Sequence, residues 1–388
     1  MLTAASSGLV VASAATAPQP RIVDHEHRVI YENQHGYVAW PTILRARNGD
    51  LLIAFDEAMR RPTKMHADPT YFAMLIRSTD GGKTWSDPSP IGGYTNSGVE
   101  SIGAVVLRNG DILAQCYHPR YWTEAQAQKR FPVKTPGVHH FKGYPWYQEH
   151  GNFNYIYRST DNGYTWEPPV SFDASPYRMA FMLRSAAELS DGTLVLPCTD
   201  DSFDSGRDFV MFSKDHGRTW SNPTAIADDP SLFFSEPALL LLPDGKLIAM
   251  LRTHKNGDYS YLHQAESTDG GRTWKNLRST TMWGLPPHLL LLSNGHILCA
   301  YGRRKNPFGI RAALSYDQGA TWDTENELTL RDDFPNGNLG YPTSMQFDDG
   351  RIVTVYYGED GSGDPKIQAS GLTRLEASFY RISGVPKG

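Results

Sequence analysis

Ser78-Thr-Asp80-Gly-Gly82-Lys-Thr84-Trp85 is the first of five copies of one phrase, Ser-x-Asp-x-Gly-x-Thr-Trp, in this chain of 388 residues. The other copies of this phrase, which we call the Asp phrase, occupy residues 159–166, 213–220, 267–274 and 315–322. It predicts a tight turn, because its Asp can accept backbone hydrogen bonds, its Gly can take a positive φ and its Trp can pack onto a core. The copies recur roughly every 50 residues, which indicates a repeat architecture of short strands.

A second repeat consists of turn dipeptides between apolar half-strands, each of which is a strong hairpin signal. The dipeptides are Asn48-Gly49, Asn109-Gly110, Asp191-Gly192, Asp244-Gly245, Asn294-Gly295 and Asp349-Gly350. Six hairpins and five Asp phrases predict an all-β fold, a six-bladed β-propeller of four-stranded antiparallel blades. We expect the first stretch, Arg21 to Tyr31, and the last, Leu372 to Ile382, to share the sixth blade and close the ring, which removes free sheet edges.

Composition argues against several classes of function. The net charge is −5 at pH 7, no basic stripe is present, and nucleic acid is therefore not an expected partner. No apolar run reaches transmembrane length. Cys116, Cys198 and Cys299 show neither a disulfide framework nor zinc spacing, so we expect them to be small buried residues. The sequence predicts no cofactor and no metal.

The chain divides into two expected parts. Residues 1–20 form a leader or signal-like segment, rich in Ala, Ser and Val but without a basic start. This segment predicts a secreted or periplasmic protein, with a cytoplasmic location as the alternative. Residues 21–388 are expected to form the propeller, with an aromatic-rich insertion at 118–150.

We expect a functional site where the central channel opens, a place we call the mouth. First strands line the channel, so the residues nine positions before each hairpin Gly lie at the mouth: Trp40, Ser101, Leu183, Glu236, Pro286 and Tyr341. Second strands end there and third strands begin there, which adds Glu57, His118, Arg252, Arg303, Asp68 and Arg311, while Arg184 and His288 lie slightly deeper. The Asp phrases lie away from the mouth and are expected to be scaffold.

The residue types at the mouth suit nucleophilic and acid–base chemistry, although any single one can be a rim salt bridge. Tyr341 and Glu236 occupy equivalent places on blades six and four, so the carboxylate can accept the phenol's proton and make the phenol a nucleophile. Asp68 can act as general acid if burial raises its pKa. Together these residues indicate glycoside cleavage with retention.

Arginines supply a clamp for a ligand carboxylate, because a guanidinium offers a planar fork of donors. Arg252 is the first member, and Arg311 or Arg303 is the second. The full set of expected substrate-binding residues is Arg252, Arg311, Arg303, Arg184, His288, Trp40, Glu57 and His118.

Over roughly residues 37–357 the chain resembles the sialidase superfamily, the neuraminidase-type six-bladed propellers with Asp-box repeats. Members carry a Glu before an apolar hairpin and a triad Arg at its far end, which matches Ser235-Glu236-Pro237 and Arg252. Their nucleophilic Tyr opens the last blade, which matches Gly340-Tyr341-Pro342-Thr343. The resemblance implies a Tyr341 and Glu236 catalytic pair.

The remaining site residues follow from the same resemblance. The acid/base Asp of the family precedes the first Asp box, where Asp68 fits, with Asp56 and Glu57 as lesser candidates. The third triad Arg belongs to blade five, where Arg311 fits best and Arg303 and Arg304 are rivals.

One departure from the family pattern concerns the first triad Arg, which sits in a Phe/Tyr-Arg-Ile-Pro phrase. This chain reads Val38-Ala39-Trp40-Pro41, so Ala39 replaces that Arg. The clamp is then incomplete unless Arg60, Arg61 or Arg184 substitutes, and the loss of one charged contact costs a few kcal/mol of binding. Sialic acid is accordingly an open choice of substrate.

The insertion at 118–150 is rich in aromatic rings and is expected to overhang the mouth, where rings suit sugar faces. A self-packed surface loop or an oligomer contact is the alternative. Its histidines match no strong metal-site spacing.

Three functions remain open from the sequence. The first is an exo-acting retaining glycoside hydrolase of the sialidase type that releases a terminal acidic or deoxy sugar from a glycan. The second is a propeller glycosidase or lyase for a rhamnoside or uronide, with a His such as His288 as acid/base. The third is a non-catalytic carbohydrate-binding or protein-binding propeller, since fold does not decide function.

Overall fold

The computed structural model describes residues 19–61, 68–93, 97–140, 144–201, 206–256, 258–364 and 370–385, with Ser101 described for its backbone only. The expected leader, apart from residues 19 and 20, lies outside these residues, and export stays a prediction. Among the described residues, no helix is long and apolar enough to cross a membrane.

The described residues form strands and one short helix. In chain order these are β1 (Arg21–Glu32), β2 (Gly36–Arg45), β3 (Leu51–Met59), β4 (Phe72–Ser78), β5 (Ser89–Gly92), β6 (Glu100–Val106), β7 (Ile112–Tyr117), β8 (Arg120–Thr123), α1 (Glu124–Arg130), β9 (Val138–His139), β10 (Trp146–Glu149), β11 (Asn154–Ser159), β12 (Val170–Phe172), β13 (Ala187–Glu188), β14 (Leu194–Asp201), β15 (Gly206–Ser213), β16 (Ser221–Ala227), β17 (Phe233–Leu241), β18 (Leu247–Lys255), β19 (Asp258–Tyr259), β20 (Tyr261–Ser267), β21 (Lys275–Trp283), β22 (Pro287–Leu291), β23 (Ile297–Arg303), β24 (Phe308–Ser315), β25 (Asp323–Phe334), β26 (Leu339–Gln346), β27 (Ile352–Glu359) and β28 (Thr373–Ser383).

These strands build antiparallel sheets with four-stranded paths, which we call blades. The blades are β2-β3-β4-β5, β6-β7-β11-β12, β13-β14-β15-β16, β17-β18-β20-β21, β22-β23-β24-β25 and β26-β27-β28-β1, and β19 pairs additionally with β18. The prediction of an all-β chain with four-stranded antiparallel blades is confirmed.

The two ends of the described chain meet in the last blade. Strand β1 pairs antiparallel with β28, and the register places Arg21 opposite Ser383 and Tyr31 opposite Leu375. The predicted sharing of this blade by the first and last stretches is therefore confirmed. This pairing gives β28 a hydrogen-bonded neighbour on each side.

The Asp phrases are tight turns stabilised by their own Asp. In the fourth phrase Asp269 accepts the Ser267 hydroxyl (2.8 Å), the Thr273 N–H (2.9 Å) and the Thr273 hydroxyl (2.6 Å). Gly270 and Gly271 take φ values of 72° and 87°, a region that favours glycine. The same three bonds recur in the other four phrases. The predicted turn chemistry is confirmed.

The core lies between neighbouring blades. Leu113 and Ile156 of the second blade, for example, belong to one buried cluster with Leu196 and Phe209 of the third. Each such side chain contributes about 1.5–3 kcal/mol when it is removed from water. Packing between blades thus holds the first strands in place at the mouth.

The insertion forms a small sheet of its own. Strands β8, β10 and β9 pair in that order, and α1 follows β8 directly. Thr123 and Gln126 form a capping box at the start of α1, which satisfies two otherwise unpaired N–H groups. The described residues of the insertion, 118–140 and 144–150, connect β7 to β11 of the second blade.

Candidate active site

Three first strands carry the same irregularity at the mouth. Trp40, Glu236 and Tyr341 have φ values of 56°, 53° and 54°, and each precedes a proline. In each blade the pairing of the first strand with the second shifts register at this residue. A bulge bends the strand and re-aims a side chain, and a positive φ at a non-glycine residue costs about 1–3 kcal/mol and clusters at functional sites. The shared geometry agrees with the equivalent places that the hairpin spacing predicts for these residues.

Glu236 and Tyr341 meet although they belong to different blades. The Tyr341 hydroxyl donates to Glu236 Oε1 at 2.6 Å, and both side chains are buried. Arg252 Nη1 lies 2.6 Å from Glu236 Oε2 and 3.3 Å from the Tyr341 hydroxyl. The structure therefore brings together a phenol, a carboxylate and a guanidinium, as the sequence predicts.

The charges of this cluster support proton transfer from the phenol to the carboxylate. Burial opposes ionisation of Glu236, but the Arg252 guanidinium and the Tyr341 hydrogen bond hold its pKa below the usual value. Burial and the Glu236 carboxylate raise the pKa of Tyr341 above its ordinary value. The resting pair is thus a carboxylate and a neutral phenol, and the phenol becomes nucleophilic only as its proton moves to Glu236.

Neighbouring residues of the third blade fix the orientation of Glu236. The Glu236 N–H donates to Thr199 Oγ1 at 2.8 Å, and the Thr199 hydroxyl donates to Asp208 Oδ1 at 2.7 Å. Asp208 is fully buried, and burial raises its pKa well above the ordinary value. These bonds give the Glu236 N–H a hydrogen-bond acceptor and tie the bulge to the third blade.

Arg304 joins the cluster from the fifth blade. Its guanidinium lies 5.7 Å from the Tyr341 ring centroid and donates to the Leu339 carbonyl at 3.0 and 3.1 Å. It also donates to the Tyr259 hydroxyl at 3.3 Å, and Arg252 lies 5.6 Å from the Tyr259 ring. Two guanidinium groups therefore flank one exposed tyrosine beside the nucleophile candidate.

An aromatic wall continues from Tyr341 into the first blade. The Trp40 ring lies 6.1 Å from Tyr341 and 5.3 Å from Tyr71. Ala39, which replaces the family's first Arg, is fully buried beside Trp40. Apolar rings occupy this side of the mouth, and Ala39 itself brings no cation to it.

A cavity of about 190 Å³ opens beside the candidate pair of Tyr341 and Glu236, between the third and fourth blades. It is smaller than the 300–1,000 Å³ that is typical of a small-molecule site, so it fits part of a ligand. Its lining is mixed aromatic and polar: Phe181, Asp201, Phe233, Ser235, Glu236, Arg252 and His254.

Asp68, the predicted acid/base, lies next to Tyr71 of the aromatic wall. Its carboxyl is fully buried and accepts Arg61 Nε at 2.5 Å, the Thr70 hydroxyl at 2.6 Å and the Thr70 N–H at 2.9 Å. Its carbonyl accepts the N–H of Tyr71, whose ring contacts Trp40. Asp68 is therefore near the wall, but Arg61 holds its carboxyl.

Arg311 bonds away from the candidate pair of Tyr341 and Glu236. Arg311 donates to the Arg331 carbonyl and lies 3.5 Å from Glu327, both on the outer strand of the fifth blade. Arg303 pairs in register with Gly309, and its Nε makes no hydrogen bond to the described residues. The rival candidate, Arg304, directly follows the end of β23. Its guanidinium is the one from this blade that lies close to the Tyr341 ring.

Glu57 and His118, two more of the predicted substrate-binding residues, contact other parts of the protein. Glu57 accepts from the Tyr31 hydroxyl at 3.2 Å and from Asn33 Nδ2 at 2.5 Å, at the border with the last blade. The His118 ring lies 4.8 Å from Tyr155, and burial lowers its pKa to about 4. These contacts give no support to a substrate-binding role for either residue. The side chain of Ser101, another predicted mouth residue, lies outside what the structure describes.

His288 is half-buried and Arg184 is buried, and both bond to the strand that carries Tyr341. His288 Nδ1 accepts the Ser344 N–H at 3.2 Å, and burial with the nearby Arg184 lowers the pKa of His288 to about 3. A histidine that stays neutral in this way is a poor proton donor at neutral pH. Arg184 is 3% exposed and donates to the Pro342 carbonyl at 3.1 Å.

Glu100 is a candidate functional carboxyl that sequence reasoning missed. Tyr121 donates to it at 3.0 Å and Gln148 donates to the same oxygen, so the insertion holds this residue at the start of β6. Burial raises the pKa of Glu100 to about 8. The available signal was its position directly before Ser101, which the hairpin spacing places at the mouth.

No metal centre accompanies these residues: within the described ranges, no group of three or more His, Cys, Asp or Glu side chains could hold an ion.

Comparisons with known proteins identify the family. The family model "BNR repeat-like domain" matches residues 139–355, more than half of the chain, and the model "BNR/Asp-box repeat" matches residues 76–87. A sialidase of Bacteroides fragilis is 25% identical in an alignment of 344 positions, which covers 81% of this chain and 59% of that protein. A sialidase of Micromonospora viridifaciens is 24% identical in an alignment of 390 positions, which covers 92% of this chain and 56% of that protein. The chain thus spans less than two thirds of the length of these relatives.

Solved structures show the same fold. A protein of unknown function from Dyadobacter fermentans matches with a TM-score of 0.80 and 28% identity, over 94% of this chain and 100% of that one. The intramolecular trans-sialidase of Ruminococcus gnavus matches with a TM-score of 0.64 and 14% identity, over 89% and 94% of the two chains. At that identity the likeness concerns the fold alone. Together with the family models, these matches show that the chain belongs to the BNR repeat-like family, within the sialidase superfamily.

Proposed function

We propose that this protein is an exo-acting glycoside hydrolase of the sialidase type, which retains anomeric configuration and releases a terminal acidic or deoxy sugar from a glycan. One observation carries the proposal: the Tyr341 hydroxyl donates to Glu236 Oε1 at 2.6 Å, with Arg252 beside both. A buried phenol paired with a carboxylate across two blades, each on a strained bulge, is typical of an activated nucleophile. The sialidases among its relatives support the same reaction class.

The first chemical step follows from this geometry. Tyr341 Oη attacks the anomeric carbon, its proton moves to Glu236, and the bond from that carbon to the leaving oxygen breaks. Asp68 is the proposed acid that protonates the leaving oxygen. It then activates the water that cleaves the covalent bond between the sugar and Tyr341. Because Arg61 holds the Asp68 carboxyl in the structure, substrate binding has to loosen this ion pair before the proton is transferred.

The arginines beside the nucleophile suit an anionic sugar. Arg252 and Arg304 place two guanidinium groups within reach of Tyr341, and a carboxylate is the natural partner of such a pair. Ala39 offers no third cation, so we propose an acidic sugar as substrate without assigning it to sialic acid.

The other two functions are less well supported. A rhamnosidase or uronidase with His288 as acid/base conflicts with the lowered pKa of about 3 that keeps this ring neutral. A purely binding propeller has no need for the hydrogen bond between Tyr341 and Glu236, whose formation across blades requires two strained bulges.

A substrate screen with a matched variant tests the proposal. Wild-type protein is assayed on fluorogenic α-sialosides, uronides and rhamnosides, beside Tyr341→Phe and the control Tyr356→Phe. Tyr356 is also buried in the last blade, but its hydroxyl contacts Ser378 instead of Glu236. We expect Tyr341→Phe to lose at least about a thousand-fold in kcat/KM, since the nucleophile is gone, while the control stays near wild type.

Product analysis completes this test. We expect NMR of the first sugar released to show the configuration of the substrate. Near wild-type turnover by Tyr341→Phe, or inverted product, would contradict the mechanism. Cleavage of rhamnosides alone, which carry no carboxylate, would overturn the acidic sugar that we infer from Arg252 and Arg304.

A further inference from the structure

Arg184 links the third blade to the strand that carries the nucleophile candidate. It follows Leu183 near the start of the third blade, and its side chain is 3% exposed. Arg184 Nη1 donates to the carbonyl of Pro342 in β26 at 3.1 Å. That carbonyl belongs to the residue directly after Tyr341, so the bond acts on the bulge itself.

The segment after Tyr341 is held at several points. The Thr343 hydroxyl donates to the Pro41 carbonyl at 3.3 Å, and Thr343 Oγ1 accepts the Ile43 N–H at 3.0 Å. The Ser344 N–H donates to His288 Nδ1 at 3.2 Å. Backbone groups of the first blade and the His288 side chain of the fifth thus restrain the positions after Pro342. Arg184 restrains the Pro342 carbonyl, next to the positive φ of Tyr341.

The charge of Arg184 also acts on the catalytic pair. Its Nε and Nη2 atoms have no hydrogen-bond partner among the described residues, and no carboxylate there lies within ion-pair distance. Burial lowers the pKa of Arg184 to about 10, and the nearby Glu236 and Tyr341 oppose this shift. Its positive charge therefore acts chiefly through space, and it favours the ionised form of each of those two groups.

We propose that Arg184 is a positioning residue: its buried guanidinium holds the Pro342 carbonyl, and through it the bulge that presents Tyr341 to Glu236, while its charge favours their ionised forms. This role replaces the substrate-binding role that the sequence suggested, because the side chain is too deeply buried to be a docking group. The kinetic part of the inference rests on the proposed hydrolase function.

Kinetics of Arg184→Met and Arg184→Lys test the role, with Arg158→Met as control. Arg158 is also buried, but its bonds are to Asp111 and the His216 carbonyl, away from the catalytic pair. For Arg184→Met we expect kcat to fall by about 10- to 100-fold, because a small displacement of the nucleophile is costly, while KM changes less than about two-fold. The control should leave both parameters near wild type. A raised KM with unchanged kcat, or no change in either, overturns the proposal.

The pH profile separates the charge from the hydrogen bond. The charged and titratable groups that interact with Glu236 are Arg252, His254, Tyr341, Arg304, Asp208, Tyr259, Tyr357 and Arg184. Removal of the Arg184 cation disfavours the Glu236 carboxylate, so the acid limb of kcat/KM should move to higher pH in Arg184→Met. Arg184→Lys keeps the charge and should keep the wild-type limb with a lower kcat. A limb that does not move in Arg184→Met contradicts the electrostatic part.

A crystal structure of the variant gives a readout that does not depend on activity. In Arg184→Met we expect Tyr341 to leave its positive φ, or its hydroxyl to move out of hydrogen-bond distance of Glu236. If Arg184→Met does not fold, Arg184→Lys serves the same purpose. An unchanged bulge and an unchanged bond between Tyr341 and Glu236 overturn the positioning role. If wild-type protein cleaves no glycoside, the proposed function fails, and this structural comparison still decides the role of Arg184.

Discussion

The Asp phrases and the mouth bulges both contain residues at positive φ, but they stabilise that conformation in different ways. In the fourth Asp phrase the residues are glycines, and Asp269 bonds to groups at most four positions away. At the mouth the residues are Glu236 and Tyr341, which bond to each other across 105 positions of sequence. The repeated motif therefore builds the scaffold, while the unrepeated side chains at equivalent backbone positions form the candidate site.

This difference predicts separable effects on stability and activity. A local turn can be weakened without moving the mouth, because its hydrogen bonds close within one short segment. A change in the candidate pair of Glu236 and Tyr341 affects both properties at once, because the buried Glu236 carboxylate balances the charge of Arg252.

The largest expected effect is that of Glu236→Ala. It removes the proton acceptor of Tyr341 and leaves the Arg252 charge buried without its carboxylate, so turnover should be abolished and stability should fall by about 3–5 kcal/mol. Chemical unfolding and turnover assays measure the two effects. Glu236→Gln is the control, since it keeps the shape and an acceptor for Tyr341 and should lose activity with a smaller loss of stability. Equal stability of Glu236→Ala and wild type would show that the pair is not buried as described.

A middle-sized effect is expected from Asp269→Ala in the fourth Asp phrase. The loss of hydrogen bonds from Ser267 and Thr273 should cost about 1–2 kcal/mol of unfolding free energy, while kcat/KM of the folded protein stays unchanged. Asp269→Asn, which keeps an acceptor oxygen, should cost less. A loss of activity in fully folded Asp269→Ala would contradict the separation of scaffold and site.

Asp269 also makes the stability of the protein depend on pH in the acid range. The Thr273 hydroxyl hydrogen bond lowers the pKa of Asp269 to about 2, against an ordinary value of 3.8. Its contribution to stability is therefore present above the ordinary value and is lost as the pH falls through about 2. The difference in stability between wild type and Asp269→Ala should shrink over that range.

The smallest expected effect is that of Glu100→Gln, which tests how the insertion is attached to the mouth. Burial raises the pKa of Glu100 from 4.5 to about 8. The contribution of its protonated carboxyl to the stability of the fold is therefore fully present below the ordinary pKa and is lost as the pH rises through about 8. A neutral Gln avoids this loss, and we expect Glu100→Gln to melt at least about 1 °C above wild type at pH 8.5. The two proteins should melt together at pH 4.5. A melting difference that does not depend on pH would contradict the protonated carboxyl.

Much of the site was predictable because hairpin spacing puts equivalent backbone positions at the same end of each blade. This reasoning found Glu236, Tyr341 and Arg252 on two blades and selected Trp40 as their neighbour. It could not choose Arg304 over Arg311, because long side chains on adjacent positions reach different surfaces. It also could not foresee the pairing of Asp68 with Arg61, since packing between loops decides that contact.

Turns, hairpins and the all-β repeat follow from local sequence. Within a few residues, Asp accepts hydrogen bonds from backbone N–H groups and Gly permits the positive φ that the turn requires. Burial and charge balance do not follow in this way, since they depend on which side chains the blades bring together from distant parts of the chain. Only the folded structure shows that Arg184 bonds to the carbonyl next to Tyr341 and that Tyr121 and Gln148 of the insertion bond to Glu100. The residue types of the candidate site can be read from the sequence, whereas their ionisation and their roles depend on packing across the blades.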